Sequence, residues 1–441
     1  MHSLPPRPAF AGASSAASSS REGAASRVQR RSASPSRDRN SSRSDAESSS
    51  SALRLALPSR PPADTTYARP ERVAFFSYGP ARELRFDSSA KRRFREPPTG
   101  VDLGHRFGAA VWREEQNEHL DSLIETLQRL PSSSTRPHPL LEARVVTWRG
   151  MMTRLCSAWH ERSSDYPKGW EMNVQRVGDT LYIEEVVTAA SLADKAAHAN
   201  NERQRTMAYH GYAFESFCTA PLSDDKTSAQ PDADGWSGDV NTNEQWCEIV
   251  RTSLGGHGVL IGGETDCVIE SHGGNEAEGV ELKTSMVLRN QRDEVRFEKK
   301  MLRFYMQAFL LGIPNVFVGF RDHQGKLQST HRFRTLEMPR LVRNKPHAWH
   351  PSQGLSFGAE ILSFLELHIP SQEASSSDPA IWRLSFDAPF THVQLRQLEA
   401  HEVKTLSQDD GPARVGFLKR EHYAWLRAEL DKRQERSSAN A

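Results

Sequence analysis

The chain has 441 residues, 57 Lys and Arg against 56 Asp and Glu, a net charge of +1 and only four cysteines. The near balance of charge argues against a surface coated by a broad basic patch, and no apolar run approaches the roughly 18 residues that a bilayer span needs. The first residues lack the apolar core of a signal peptide, and Cys156, Cys218, Cys247 and Cys267 are scattered with no CxxC pair. A disulfide framework and a structural zinc site are thereby disfavoured, and a soluble intracellular protein is expected.

Residues 1–64 are dominated by Ser, Ala, Arg and Pro and hold ten Arg, no Lys and five acidic residues, so they carry +5 and leave −4 for the rest. Such a stretch buries too little surface to offset chain entropy, and it reads as a disordered Ser/Arg-rich tail; a nuclear address or an RNA-grazing arm is the other reading. One domain is expected over 65–441. VAFFSYG, ELRF and RRFREPP follow as short strands, and HLDSLIETLQRL over 119–130 has apolar residues at helical spacing. After ARVVTWRGMMTRLCSAW comes a strand at 179–187. NERQRTMAYHGYAFESFCT sets Met207, Gly211, Phe214 and Cys218 on one helical stripe.

Residues 221–245 are polar and turn-rich and read as a surface insertion. VLIGGETDCVIE and VELKTSMVL read as two strands, EKKMLRFYMQAFLLG as an amphipathic helix ended by Gly312 and Pro314, and NVFVGFRD as a buried strand. A polar break at SQEASSSDP, a strand WRLSF and a helix around EHYAWLRAEL complete a mixed α/β order.

Chemistry concentrates in three acidic clusters: Glu215 in GYAFE, Glu264 and Asp266 in GGETDCV, and Glu281 with Lys283 in VELKTS. Alternation along a strand puts Glu264 and Asp266 on one face, and Glu281 and Lys283 on one face. An ExD or ExK pair alone is ordinarily a solvated strand face or a weak surface ion pair. Here the pairs sit in runs that enter a core, where unpaired carboxylates are costly unless a cation or lysine neutralises them. Hard oxygen ligands of this kind cage divalent cations, and two such cations activate water for phosphodiester or anhydride hydrolysis.

From roughly Arg72 to Leu430 the chain resembles the DXO-type decapping nuclease family, the RNA cap quality-control enzymes that include the nuclear partner of the 5′→3′ exoribonuclease. The resemblance is carried by TWRG at 147–150, GYAFE at 211–215, ETD at 264–266, ELK at 281–283 and EKKMLRFYMQAFLLGIPNVFVGFRD. It implies a restriction-endonuclease-like core of two β-sheets flanked by helices. It further implies that Glu215, Glu264, Asp266, Glu281 and the carbonyl of Leu282 hold Mg²⁺ or Mn²⁺, two ions in all, while Lys283 and Gln307 contact the scissile phosphate. Trp148, Arg149 and Gly150 would grip substrate phosphates, and Arg93 and Glu118 would touch substrate. Arginine forks suit a pyrophosphate bridge. The sequence departs from the family pattern at Thr265, where a hydrophobic residue is usual, and in the tail and the insertion.

The implied activity is removal of incomplete caps, 5′ pyrophosphate or whole NAD caps to leave 5′-monophosphate RNA, with 5′→3′ exonuclease action in some members. A nuclear location follows from the resemblance, a cytoplasmic one being the alternative. Two other readings stand beside it: a stabilising partner of the nuclear 5′→3′ exoribonuclease, and a DNA nuclease built on the same core.

Overall fold

The structure is a computed structural model that describes residues 52–439, apart from 61, 115–116, 132–137, 166, 189–191, 194–196, 198–199, 223–233, 271–276, 374–378 and 409–412. Among these residues a ten-stranded sheet runs in the order β1 (Leu53–Ala56), β16 (His392–Gln397), β15 (Ile381–Phe386), β6 (Trp170–Val177), β7 (Thr180–Glu185), β5 (Val145–Trp148), β10 (His257–Glu264), β9 (Gln245–Leu254), β2 (Glu71–Tyr78) and β3 (Leu84–Arg85). A six-stranded sheet follows the order β14 (Leu327–Arg334), β13 (Asn315–Arg321), β12 (Glu278–Met286), β11 (Cys267–Ile269), β4 (Arg92–Phe94) and β8 (Thr219–Pro221). A short pair, β17 (Arg414–Val415) and β18 (Leu418–Lys419), stands apart.

The helices are α1 (Asp121–Gln128), α2 (Pro139–Glu142), α3 (Arg149–Glu161), α4 (Glu202–Cys218), α5 (Gln291–Leu310), α6 (Met338–Val342), α7 (Pro351–His368), α8 (Ala400–Gln408) and α9 (Arg420–Ala439). Helix α5 begins where Asn290 accepts a hydrogen bond from the Asp293 N–H, and it links β12 to the parallel strand β13, a connection too long for a hairpin. Its stripe of Phe297, Met301, Phe304 and Ala308 is buried with Met152 and Cys156 of α3 and Phe357 and Ile361 of α7. Helices α1, α2 and α9 cover the opposite face of the large sheet, so that Ile261 of β10 joins the first core while its neighbour Leu260 joins the second. Helix α4 packs Phe214 and Phe217 on Val280, Leu282 and Phe317 of the small sheet.

Four expectations change. Residues 1–51 lie outside the described residues, but the stretch read as tail does not run to residue 64. Leu53–Ala56 pairs antiparallel with β16, and Leu53, Leu55 and Leu57 pack on the first core. Alternating leucines in LRLAL outweigh the polar setting around them.

Second, VLIGGETDCVIE is not one strand. β10 ends at Glu264 paired with Cys247 in the large sheet, and β11 starts at Cys267 paired with Val280 in the small one, so Thr265 and Asp266 form the passage between sheets. Third, of the 221–245 segment, 223–233 lie outside the described residues, whereas Trp236 and Val240 are buried in the core under α4. Fourth, Met207, placed on the buried stripe of α4 by its spacing, is half exposed, and Tyr209, His210 and Ala213 are buried instead. The helix carries aromatics on two sides, which blurs the period.

Candidate metal centre

Four elements deliver four carboxylates to one place: Glu215 from the last turn of α4, Glu264 from the end of β10, Asp266 from the passage between sheets, and Glu281 from β12. Glu281 is fully buried, with Arg149 Nη1 at 2.7 Å from Oε2 and Lys283 Nζ at 2.6 Å from Oε1, the latter contact lying off the hydrogen-bonding direction. Lys283 is two residues on along β12, so alternation brings it to the same face. Arg149 is the first residue of α3. A cation there opposes the helix dipole, so its place is explained by Glu281 rather than by the helix.

Two glycines make room for these contacts. A Cβ on Gly262 would meet Trp148 at 2.8 Å, and one on Gly263 would meet the Arg149 Cβ at 2.9 Å, so the GG of GGETD is the surface on which the TWRG turn lies. Trp148 is held by its indole N–H donating to the His119 carbonyl at 2.8 Å, and His119 itself sits in the left-handed region at φ 47°. A Cβ on Gly150, the second residue of α3, would meet nothing within 4 Å.

Burial pushes the Glu215 and Glu264 carboxyls up from their ordinary values, reinforced for Glu215 by the Asp266 charge and opposed for Glu264 by Arg149. Burial, with the neighbouring Glu281 charge, pushes Asp266 to about 7 despite Lys283 and the Leu282 N–H. Glu281 is the exception: burial also acts on it, but Arg149 and then Lys283 outweigh that and hold it below the usual range. Four carboxylates against two fixed cations leave an excess of two negative charges in a buried place, which is the deficit that divalent cations fill.

Three of the four carboxylates, Glu264, Asp266 and Glu281, rest on protein partners rather than in a finished cage. Among the described residues no group of three or more His, Cys, Asp and Glu already has coordinating geometry. Asp266 Oδ2 accepts the Leu282 N–H at 2.6 Å, and Glu264 Oε2 accepts from Gln245 Nε2 at 3.0 Å. The N–H and C=O of one extended residue face the same edge, so the Leu282 carbonyl also lies on the Asp266 side, away from β13. A cation held by these carboxylates would have to displace the Leu282 N–H from Asp266 and the Gln245 amide from Glu264.

The expected outer residues divide. Glu118 is locked to Arg82, Nε to Oε1 and Nη2 to Oε2 both at 2.7 Å, and Arg82 Nη1 donates to Gln245 Oε1 at 2.6 Å. Glu118 is thus joined to Glu264 through Arg82 and Gln245, two residues the sequence reading missed. Gln307 is half-buried on α5, one turn beyond the exposed Arg303. Arg93 does not face the site: it pairs with Glu270 at 3.6 Å, both about half exposed. Its neighbour Arg92 turns to the opposite face and lines a cleft of about 390 Å³ together with Glu215, Glu264, Asp266, Tyr212 and Trp246. A one-residue shift in strand register exchanges the faces, and a run of consecutive arginines gives no hint of which one points in.

A mixed-sheet core that gathers a helix glutamate, an acid pair and an E-x-K strand defines a divalent-metal nuclease of the PD-(D/E)XK class. The chain belongs to the RAI1-like PD-(D/E)XK nuclease family, whose description matches residues 68–420. It is 33% identical over 448 residues to the decapping nuclease RAI1 of Mycosarcoma maydis, covering 82% of this chain and 88% of that protein. It is 33% identical over 355 residues to the human decapping and exoribonuclease protein, covering 76% and 86%. The fold matches Candida albicans Rai1 in complex with pU5 and Mn²⁺ with a TM-score of 0.74 at 20% identity, over 86% of this chain and all of that one. It also matches Scheffersomyces stipitis Rai1 in complex with (3′-NADP)⁺ and calcium, with a TM-score of 0.71 at 22% identity over 85% of this chain. Divalent cations are the cofactors of this nuclease class, and decapping nuclease is the family's activity.

Proposed function

We propose that this chain hydrolyses phosphate bonds at RNA 5′ ends and leaves 5′-monophosphate RNA, acting on incomplete caps, 5′ triphosphates and whole NAD caps. The observation that carries the reading is the grip of Arg149 and Lys283 on a fully buried Glu281 inside a ring of three further carboxylates. Glu215, Glu264, Asp266, Glu281 and the Leu282 carbonyl hold the cations, whose bound charge polarises water and offsets the negative charge developing at phosphorus.

Around that centre each side chain has a separate task. Lys283 supplies a fixed positive charge where the scissile phosphate lies, and Gln307 a neutral donor beside it. Arg149, once cations take over Glu281, is free to fork onto phosphate oxygens, as its planar guanidinium allows. No histidine lies among the residues of the centre, and none is needed when cations lower the acidity barrier of water.

Association with a nuclear 5′→3′ exoribonuclease, and a nuclear location, belong to the same reading. Copurification of a large exoribonuclease from nuclear extract tests them. The activity is tested on NAD-capped RNA by mass spectrometry. Intact NAD plus 5′-monophosphate RNA is the expected pair; nicotinamide mononucleotide with AMP-started RNA would mean cleavage inside the pyrophosphate and would overturn the assignment.

A further inference from the structure

Arg92 is a half-buried arginine with no carboxylate in ion-pair contact among the described residues. Its Nε donates to Thr219 Oγ1 at 2.7 Å and its Nη2 to Ser237 Oγ at 2.8 Å. Both hydroxyls spend their own protons on backbone carbonyls of the last turn of α4, Thr219 on Glu215 at 2.8 Å and Ser237 on Ser216 at 2.6 Å. They orient the guanidinium but cannot neutralise it. Among the described residues no Asp or Glu lies within ion-pair distance of Arg92, whereas Arg93 has Glu270 and Arg106 has Asp239. Two of its five N–H donors are used, and burial lowers its affinity for its proton.

The guanidinium lines the cleft that opens beside Glu215, Glu264 and Asp266, and the Arg92–Thr219–Glu215 chain ties it to the carboxylate centre. Of the other acids of the cleft, Asp239 pairs with Arg106 and Glu264 accepts from Gln245, while Glu244 and Glu215 act on Arg92 through their charge without reaching ion-pair distance. Tyr212, 38% exposed, also lines the cleft and meets the exposed Trp112 edge-on at 5.9 Å. A cation in a groove with exposed aromatic rings beside it is the arrangement that holds single-stranded nucleic acid.

We propose that Arg92 binds the substrate phosphate adjacent to the one attacked, extending the metal centre by one phosphate subsite. The proposal rests on the reading of the chain as a hydrolase of RNA 5′ ends. The ligand is a phosphate group, supplied either by the RNA chain downstream of the scissile phosphate or by the leaving group upstream of it.

The test uses the full chain carrying Asp266→Asn to block cleavage, with Arg92→Gln and Arg92→Lys added singly. Two probes separate the sources: a 5′-monophosphorylated ten-residue RNA has only downstream phosphates, and a ribonucleoside triphosphate has only leaving-group phosphates. Arg92→Gln should weaken one of them roughly ten- to a hundredfold, the range of a hydrogen bond to a charged group. For the RNA it should also lower the slope of log K against log salt by about 0.7, one phosphate on a single strand. Arg92→Lys, which keeps the charge and loses the fork, should restore the salt slope while recovering affinity only in part. Melting curves identify a variant that has not folded, in which case Arg92→Lys alone decides through its partial loss of affinity. Unchanged affinity for both probes in a folded variant overturns the subsite. Failure of the wild-type chain to cleave or bind 5′-phosphorylated RNA would instead overturn the functional reading, so the two failures are distinct.

Discussion

Gln245 Nε2 donates to Glu264 Oε2 at 3.0 Å while its Oε1 accepts from Arg82 at 2.6 Å, so one amide fixes the direction of a candidate metal ligand. Because both ends of the amide are committed, its orientation cannot flip without losing a bond. Gln245→Leu should lower the affinity for Mn²⁺ by about tenfold or more, in the range found for groups that orient metal ligands. Isothermal titration with Mn²⁺ checks it, and unchanged affinity would remove Gln245 from the site.

Asp266→Ala should lower turnover more than about a hundredfold, beyond the usual effect of an outer-sphere change, because a direct cation anchor is lost. The fold should survive, since the substitution relieves charge crowding and removes no packing group. Near wild-type hydrolysis with Mg²⁺ present would sink the ligand assignment.

Lys283→Ala removes the charge paired with Glu281 and placed for the transition state. A cost of roughly 2–4 kcal/mol in kcat is expected by comparison with other preorganised electrostatic contacts. The KM-against-kcat split is the measurement: an effect confined to KM would place Lys283 in substrate binding alone.

Truncation separates the tail from the domain. Removing residues 1–51 should leave the melting temperature unchanged, whereas removing residues 1–57 takes out β1 and three leucines packed on the core. At roughly half the burial value of a full leucine each, the second deletion should cost about 3 kcal/mol. Equal melting temperatures for the two would show that β1 contributes nothing.

His422 predicts a dependence of stability on pH. Its Nε2 meets the Tyr182 hydroxyl at 2.8 Å in the core, and burial pushes its pKa down to about 3. An unfolded histidine titrates near 6.5, so between about pH 6.5 and 3 the unfolded chain holds the extra proton. The contribution is therefore complete above about 6.5 and is lost as pH falls through that window, by about 2 kcal/mol at pH 5. His160, pushed down to about 4 mainly by burial, acts in the same sense. Melting at pH 7 and pH 5 should show a smaller acid loss in His422→Gln than in the wild-type chain; equal losses would refute the role.

Much of the centre was legible because its residues lie in short local patterns. Glu281 and Lys283 share a face by strand alternation alone, and α5 announced itself through its stripe and its Gly-Pro end, although it begins at Gln291, ahead of the EKK run from which it was read. What stayed hidden depends on contacts between distant segments. Arg82 and Gln245 are 163 residues apart, and neither has a motif around it. Arg92 and Arg93 differ only in strand register, which β8 and β11 set from outside the segment. The break at Thr265 was hidden because GGETDCV alternates well enough for one continuous strand; only the change of pairing partner, from Cys247 to Val280, reveals the turn.

That break makes the acid pair a joint. Glu264 moves with the ten-stranded sheet and Asp266 with the passage into the six-stranded one, with the Thr265 hydroxyl pinned to Glu248 Oε2 at 2.6 Å at the pivot. The spacing of the two carboxylates is thus a gauge of how the two sheets sit on each other. A substitution deep between them, such as at Leu311 against Gly263, would detune hydrolysis through misalignment while the chain still melts as a folded protein.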